Sequence, residues 1–496
     1  MEEYTERLKE DIEKSKYYSQ TEALVEMIRG ENMYLSGPAG SGKSYVIEKF
    51  VKYMTKHRPE LNIAITAPQG TAAVNINGVT FHSFTGMGIS KLDFFDRGGV
   101  SDYVAWQIKK TDIIIIDEIS MLSAWQLRFL LEELKFYRKD DWHKVQLIVS
   151  GDFSQLPPVA TARDSKEMAE LCYGKLAWNE FKPKNTYLDR VYRAEDEALK
   201  VLLNKLSLGE AAPIDLADLK VISKTEGLSI PVLVSTNKRA NEINTTNHNN
   251  NMSTEMREFD VDIPMDKGLD FFRTSEMYAR QSGMDKPVKV KTGDTVMITV
   301  NESSANEYCV HIDPFAPKLQ NGMIGKIIKI VEGKNVGVVF RYIDPDTGER
   351  YRYAIHSKCE FQQSVIKTNP LNGKKYEEIV ASFMQVPFKL AYAISIHKSQ
   401  GQTYSHVITD LSNCWTENLG YVALSRAKTI GGLYLLRNKK GKVLGKKALK
   451  VSDESIIIKQ EVFRDSYIGD DEYRYNLLVD KIKENDIVLE DVLWIL

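Results

Sequence analysis

A chain of 496 residues is long enough for about three domains. With 43% hydrophobic and 27% charged positions it is too apolar to be wholly disordered. Its 66 basic and 68 acidic side chains leave a net charge of −2, which excludes an overall polycation and leaves any nucleic-acid surface to a local patch.

No apolar run approaches the ~18 residues of a membrane span. The Met-Glu-Glu-Tyr start has neither a signal nor a transit pattern. Cysteines at 172, 309, 359 and 414 are too few and too scattered for a disulfide framework or a zinc site. The chain reads as intracellular, reduced and multidomain.

Residues 32–36 form a short strand candidate, followed by a Gly-rich stretch and a helix from about residue 44. On that helix Val46, Phe50 and Met54 recur at the spacing of a buried stripe. Further apolar strand candidates are 62–67, 113–116, 146–150, 232–235, 406–409 and 433–436. Their nearly continuous apolar character fits parallel sheets covered on both faces, hence an α/β class. The stretch from about 288 to 385 changes to hairpin-rich strands, with a turn at Asp344-Pro-Asp-Thr-Gly348, and reads as a small inserted β barrel. The polar string Asn244-Thr-Thr-Asn-His-Asn-Asn-Asn251 reads as a loop.

Three strings carry chemistry. Gly37, Pro38, Ala39, Gly40, Ser41, Gly42, Lys43 and Ser44 fit G-x-x-x-x-G-K-[ST] between a predicted strand and a predicted helix. The glycines let backbone N–H groups curl around phosphates at a helix N-terminus. Lys43 is expected to reach the β/γ-phosphates of ATP and Ser44 to bind Mg²⁺. Ile113-Ile-Ile-Ile-Asp-Glu118 ends an apolar strand in two carboxylates at the edge where α/β ligands bind. Asp117 suits the metal, and Glu118 suits the base that orients or deprotonates water. Gln155, in Gly151-Asp-Phe-Ser-Gln-Leu-Pro-Pro158, follows another apolar strand and is placed to sense a γ-phosphate.

Taken in order with Ser19-Gln20, Thr66-Ala-Pro-Gln-Gly-Thr-Ala-Ala73, Thr80-Phe-His-Ser-Phe84, Val191-Tyr-Arg193, the run from Ala391 to Gly401 and Tyr421-Val-Ala-Leu-Ser-Arg-Ala427, these strings resemble the superfamily 1B DNA helicases. The likeness is greatest to the petite-integration-frequency type, with kinship to RecD-type and phage Dda-type enzymes, and covers about residues 15–440. It implies two RecA-like P-loop motor domains, at 1–180 and at 181–287 with 386–440, an SH3-like barrel at 288–385 and a C-terminal extension at 441–496. A duplex-splitting wedge is expected at about 83–106.

The resemblance makes Gln20 the adenine reader and adds Gly401 to the nucleotide-binding residues. It makes Arg193 and Arg426 arginine fingers supplied by the second motor domain. It lays a single-strand DNA path over Thr66, Pro68, Phe81, His82 and Phe84, then Ser395, His397 and Thr403. The implied protein is a monomeric or weakly associating helicase using ATP and Mg²⁺ at the interface of its motor domains, moving 5′ to 3′ on single-stranded DNA and opening forked duplex, with no membrane partner. A translocase that does not unwind, or a nucleotide-gated single-strand binding protein, shares these motifs. Gln69 and Ala194 stand where relatives usually carry Thr and Gln. The lysine run Lys439-Lys-Gly-Lys442, with Lys446-Lys447 after it, reads as either a phosphate-binding patch or a solvated face.

Overall fold

The computed structural model describes residues 18–69, 72–73, 76–87, 100, 102–158, 169–192, 196–225, 230–281, 284–300, 309–311, 323–331, 337–343, 351–356, 358–368 and 375–466, then 478, 481–482, 485 and 487. The chain divides into two compact units, 1–219 with 413–433 and 444–496, and 220–412 with 434–443. These are not the boundaries expected above. Residues 413–433 and the C-terminal stretch group with the first unit, and the first sheet runs past residue 180.

The first unit is built on six strands: β1 (Met33–Ser36), β2 (Ile63–Ala67), β3 (Val79–Thr80), β4 (Ile113–Ile116), β5 (Gln146–Gly151) and β6 (Lys184–Tyr187). They lie in the order β3-β2-β4-β5-β1-β6, and every neighbouring pair is parallel. The pleat explains the four consecutive isoleucines of β4. Ile113 and Ile115 join Leu24, Ile47 and Phe50 in one core, while Ile114 and Ile116 join Leu127, Leu130 and Leu131 in another. A strand covered on both faces has no wet side to mark with polar residues.

Two helices cover these faces for readable reasons. In Lys43–His57 the buried residues are Val46, Ile47, Phe50, Tyr53 and Met54, a single stripe. Ala124–Arg138 starts at a capping box, with the Ser123 side chain accepting from the Gln126 amide and the Gln126 side chain accepting from the Ser123 amide.

The C-terminal stretch is part of this unit's core. Leu478, Ile482 and Ile487 pack in the cluster of Leu24 and Phe50. Glu26, only 2% exposed, receives Arg29 and Lys184 at 2.9 Å each and also Lys481. Burial pushes its carboxyl up, but the hydrogen bonds from Lys481 and Lys184 outweigh that and hold it below the usual carboxylate range.

The second unit contains, in chain order, β7 (Lys220–Ile222), β8 (Val232–Val234), β9 (Met256–Phe259), β10 (Val288–Lys291), β11 (Thr295–Ile298), β12 (Cys309–His311), β13 (Ile324–Val331), β14 (Gly337–Ile343) and β15 (Tyr351–His356). They are followed by β16 (Cys359–Thr368), β17 (Lys375–Gln385), β18 (Phe388–Leu390), β19 (Ala393–Ser395), β20 (Val407–Asp410) and β21 (Leu433–Leu436). One sheet has the order β19-β8-β20-β21-β7, with β19–β8, β8–β20 and β21–β7 parallel. The region expected to be a small barrel is an antiparallel sheet in the order β12-β15-β14-β13-β11-β18, accompanied by the long hairpin β16–β17. Its expected turn at 344–348 lies outside the described residues.

The expected loop at 244–251 is a correction. The helix Asn237–Asn250 runs through it, capped by Thr236, with Ala240, Ile243, Asn244, Asn247 and His248 buried. Asn244 is buried because it completes a strand edge. Its Nδ2 donates to the Leu390 and Ala393 carbonyls at 3.2 and 3.0 Å, and its Oδ1 accepts the Ala393 amide at 2.8 Å. A polar string can be a core helix when its amides replace missing sheet bonds.

Phe81 and Phe84 are also corrected. Both are fully buried in the first unit's core and offer no face to a base. Among the described residues no helix is long and apolar enough to cross a membrane. Phe84→Ala is expected to cost about 3–5 kcal/mol in urea unfolding, while the folded fraction keeps its affinity for single-stranded DNA. Lost affinity with unchanged stability would restore a stacking role to Phe84.

Candidate nucleotide site and single-strand path

β4, β5 and β1 are neighbours, so the segments leaving their carboxyl ends share one rim of the first unit. Gly37–Ser44 leaves β1, Asp117 and Glu118 leave β4, and the turn holding Asp152 and Gln155 leaves β5. The loop needs glycine at two points. Gly37 and Gly42 have φ of +148° and +86°, and a Cβ would lie 2.6 Å from the Leu188 carbonyl oxygen and 2.2 Å from Gln20 Nε2, respectively.

Lys43 Nζ donates to the Gly37 and Pro38 carbonyls at 2.8 and 3.0 Å, holding its ammonium at the head of the loop. Ser44 Oγ donates to Asp117 Oδ2 at 3.2 Å, and Asp117 Oδ1 accepts the Glu118 amide at 2.9 Å. Glu118 itself sits in the left-handed region at φ 54°, ψ 44°, a conformation that costs of order 1–3 kcal/mol and concentrates at functional sites.

Polar atoms around the loop are left over. Gln20 Nε2 donates to the Ser41 carbonyl at 3.0 Å. Gln20 Oε1, Ser41 Oγ and Gln155 Oε1 are buried with no hydrogen-bond partner among the described residues. Orphaned buried acceptors are costly and uncommon, and a ligand carrying amino and hydroxyl donors would satisfy them. The hydroxyl–carboxylate pair of Ser44 and Asp117 suits a hard divalent cation that keeps several waters and takes its remaining ligands from phosphate.

Sequence reasoning gave Arg426 a role and overlooked its neighbours. The Tyr421 hydroxyl, in the helix Leu419–Leu424, donates to Asp152 Oδ2 at 2.8 Å and accepts the Ala39 amide at 3.3 Å. Burial, then the Asp152 charge beside it, pushes the phenol well above its ordinary range, so it stays a donor. Asn418, left-handed at φ 70°, donates through Nδ2 to the Gln155 and Phe153 carbonyls at 2.8 and 3.3 Å. The only available signal was a hydroxyl-bearing ring in an otherwise apolar run.

Arg426 is 1% exposed and belongs with the first unit. Its Nε donates to the Val422 carbonyl at 2.9 Å and its Nη2 to Ser425 Oγ at 2.8 Å. Arg193 lies outside the described residues, but the Tyr192 amide donates to the Gly40 carbonyl at 2.9 Å, so the chain leading into Arg193 lies against the loop. Gly401, at φ +80°, is in the second unit.

The expected DNA residues divide. Thr66 is fully buried and spends its hydroxyl on the Ile115 carbonyl at 2.9 Å, which corrects its assignment to the path. Pro68 and His82 are half-buried in the first unit, as are His397 and Thr403 in the second, while Ser395 is buried at the end of β19. His82 Nε2 lies 3.3 Å from Gln126 Nε2. Because the capping box fixes the Gln126 amide as donor, Nε2 is the bare nitrogen of a neutral ring. Burial holds both His82 and His397 below the ordinary histidine range, so neither brings a cation at pH 7. Of the expected wedge, residues 88–99 and 101 lie outside the described residues.

The first unit is a parallel sheet bearing this loop, a carboxylate pair and a glutamine on one rim, and the second unit carries a parallel α/β sheet of its own, the elements of a two-fold P-loop protein. The model of the PIF1-like helicase matches residues 11–205, and that of the UvrD-like helicase C-terminal domain matches 390–434. Over residues 11–205 the chain is similar to the PIF1-like helicases.

It is 29% identical over 470 residues to an ATP-dependent DNA helicase Pif1 from Psychrobacter, covering 84% of this chain and 67% of that one. It is 29% identical over 466 residues to the ATP-dependent DNA helicase PIF1 of Emericella nidulans, covering 85% and 60%. The chain thus spans about two thirds or less of these relatives' lengths. The crystal structure of Pif1 helicase from Candida albicans superposes with a TM-score of 0.68 at 24% identity, over 90% of this chain and 98% of that one, and this likeness carries the fold.

Tyr421→Phe strips Asp152 Oδ2 of its donor, leaving the carboxylate the Ser154 amide on Oδ1, a loss of about 1–3 kcal/mol, and frees the Ala39 amide. Thermal unfolding at a lower temperature and weaker ATP binding by titration are expected. A variant unchanged in both would show that the Tyr421–Asp152 bond is dispensable.

Proposed function

We propose that this protein is an ATP-dependent DNA helicase that moves 5′ to 3′ along single-stranded DNA and unwinds forked duplex. The observation that carries the reading is the shared rim where the phosphate loop, the Asp117–Glu118 pair and the Gln155 turn meet, with buried polar atoms left for a ligand.

In this reading the loop amides and Lys43 take the triphosphate. The ammonium exchanges the Gly37 and Pro38 carbonyls for β- and γ-phosphate oxygens, a stronger charge-assisted pairing. Ser44 and Asp117 would hold Mg²⁺, which would supply charge neutralisation to the phosphates. Glu118 orients and deprotonates the attacking water. Gln155 contacts the γ-phosphate, and Asn418 fixes the backbone that carries it. Gln20 reads the adenine amino group through its unpartnered Oε1. Arg193 and Arg426 stabilise charge on the transferred phosphoryl group.

Pro68 and His82 in the first unit, and Ser395, His397 and Thr403 in the second, are the residues that contact single-stranded DNA in this reading. With both histidines neutral, their contribution is stacking and hydrogen bonding, and the cations of the path must come from other residues. Opening a base pair costs on average about 1.4 kcal/mol of stacking per step, so the energetic demand on each step is small.

Lys43→Ala is expected to abolish ATP hydrolysis; turnover at the parental rate would remove the site assignment. Glu118→Gln is expected to bind ATP with parental affinity and to lose turnover, whereas a loss of affinity would make Glu118 structural. Matched duplexes with a 5′ or a 3′ tail test the activity itself. ATP-dependent strand separation confined to the 5′-tailed substrate is expected. Separation from the 3′ tail reverses the polarity, and tail-length-dependent turnover without separation leaves a translocase.

A further inference from the structure

A cleft of about 890 Å³ opens in the second unit between the segment after β7, the outer face of the helix Asn237–Asn250 and the segment after β21. Five cations line it, Lys224, Lys238, Arg239, Arg437 and Lys439, against one carboxylate, Glu242. Glu242 is taken up by Arg239 at 3.3 Å, and Arg239 also holds Asp410 at 3.1 Å. Among the described residues no carboxylate pairs with Lys224, Lys238, Arg437 or Lys439, and all four are exposed. In a chain of net charge −2 this is a strong local excess.

The lysine run singled out in the sequence forms one rim. Asn438 folds it into a tight turn, its Oδ1 accepting the Lys440 and Lys442 amides at 2.9 Å each and its own amide donating to the Lys442 carbonyl at 2.9 Å. The side chains of Lys439, Lys440 and Lys442 are therefore displayed from a fixed backbone. Thr225, Thr245 and Ser223 add hydroxyl donors, and the apolar lining is limited to Ile243 and Leu436. No aromatic ring lines the cleft, so it offers phosphate contacts and no stacking platform.

We propose that this cleft binds the phosphodiester backbone of a second DNA segment, distinct from the strand engaged at Ser395, His397 and Thr403. Within the sheet, β21 is three positions from β19, which ends at Ser395. At ~4.8 Å per strand that is about 14 Å. The site rests on the helicase reading for its biological use but on its own charge for binding. Recognition is independent of base sequence, and the segment is either the duplex arm of a fork or a free single-stranded tail.

The test uses the full chain and its Lys224→Gln/Lys238→Gln/Lys439→Gln variant, whose replaced side chains are all exposed. Binding is measured across a salt series for a short oligothymidylate, a long oligothymidylate and a fork with a blunt duplex arm. The short oligothymidylate should bind both proteins alike and stimulate ATP hydrolysis alike. On the fork or the long oligomer the variant should bind about tenfold or more weakly, with a salt slope shallower by about two to three. The substrate that suffers the loss identifies the source of the backbone. Unchanged affinity and slope on both long substrates would overturn the proposal. Equal loss on the short oligomer would also overturn it, by placing the lysines on the tracked strand. Absent DNA-stimulated hydrolysis in the parent chain would instead count against the helicase reading, and the binding slopes would still decide the cleft.

Discussion

The nucleotide rim of the first unit depends on a buried hydroxyl between a carboxylate and a backbone amide. Tyr421 gives its proton to Asp152 and takes one from Ala39, so the turn after β5, the phosphate loop and the helix leading to Arg426 share one atom. Without that phenol the buried Asp152 would keep only the Ser154 amide on Oδ1 at 2.9 Å and lose the donor to Oδ2, and a buried charged acceptor left unmet costs more than an ordinary hydrogen bond contributes. Asn418 extends the same connection to the backbone of Gln155. The residues assigned to catalysis are held through neighbours that do no chemistry.

What could be read from the sequence follows from how local each feature is. The geometry of the phosphate loop and of the Asp117–Glu118 pair was legible because it is made by backbone conformation and adjacent residues, so a short string contains it. The apolar strands were legible for a similar reason, since a doubly covered strand writes its burial into every position. Phe81, Phe84 and Thr66 were not. Whether a ring or a hydroxyl faces a core or a groove is decided by residues distant in sequence, such as Ile115, which accepts the Thr66 proton.

The stretch after Asn244 shows the same limit from the other side. Its amides look like solvent-loving loop until the unpaired edge at Ala393 supplies partners for them. Charge behaves alike. A nearly neutral total conceals the cleft at Lys224 and Lys439, because the cations gather from three separate segments of the chain. The unit boundaries were misplaced where the chain returns to a fold it had left, and periodicity carries no information about such a return.

That return has a consequence for synthesis. Residues near the start, Leu24 and Glu26, share a core and an ion pair with Ile482 and Lys481 near the other end. The intervening unit is nearly contiguous in the chain. Because domains fold as units during translation, the later-written unit can reach its native state on the ribosome while the earlier-written one still waits for its final stretch. The first unit is therefore completed only once residues 478–487 have been made, after the whole of the second unit has already been written.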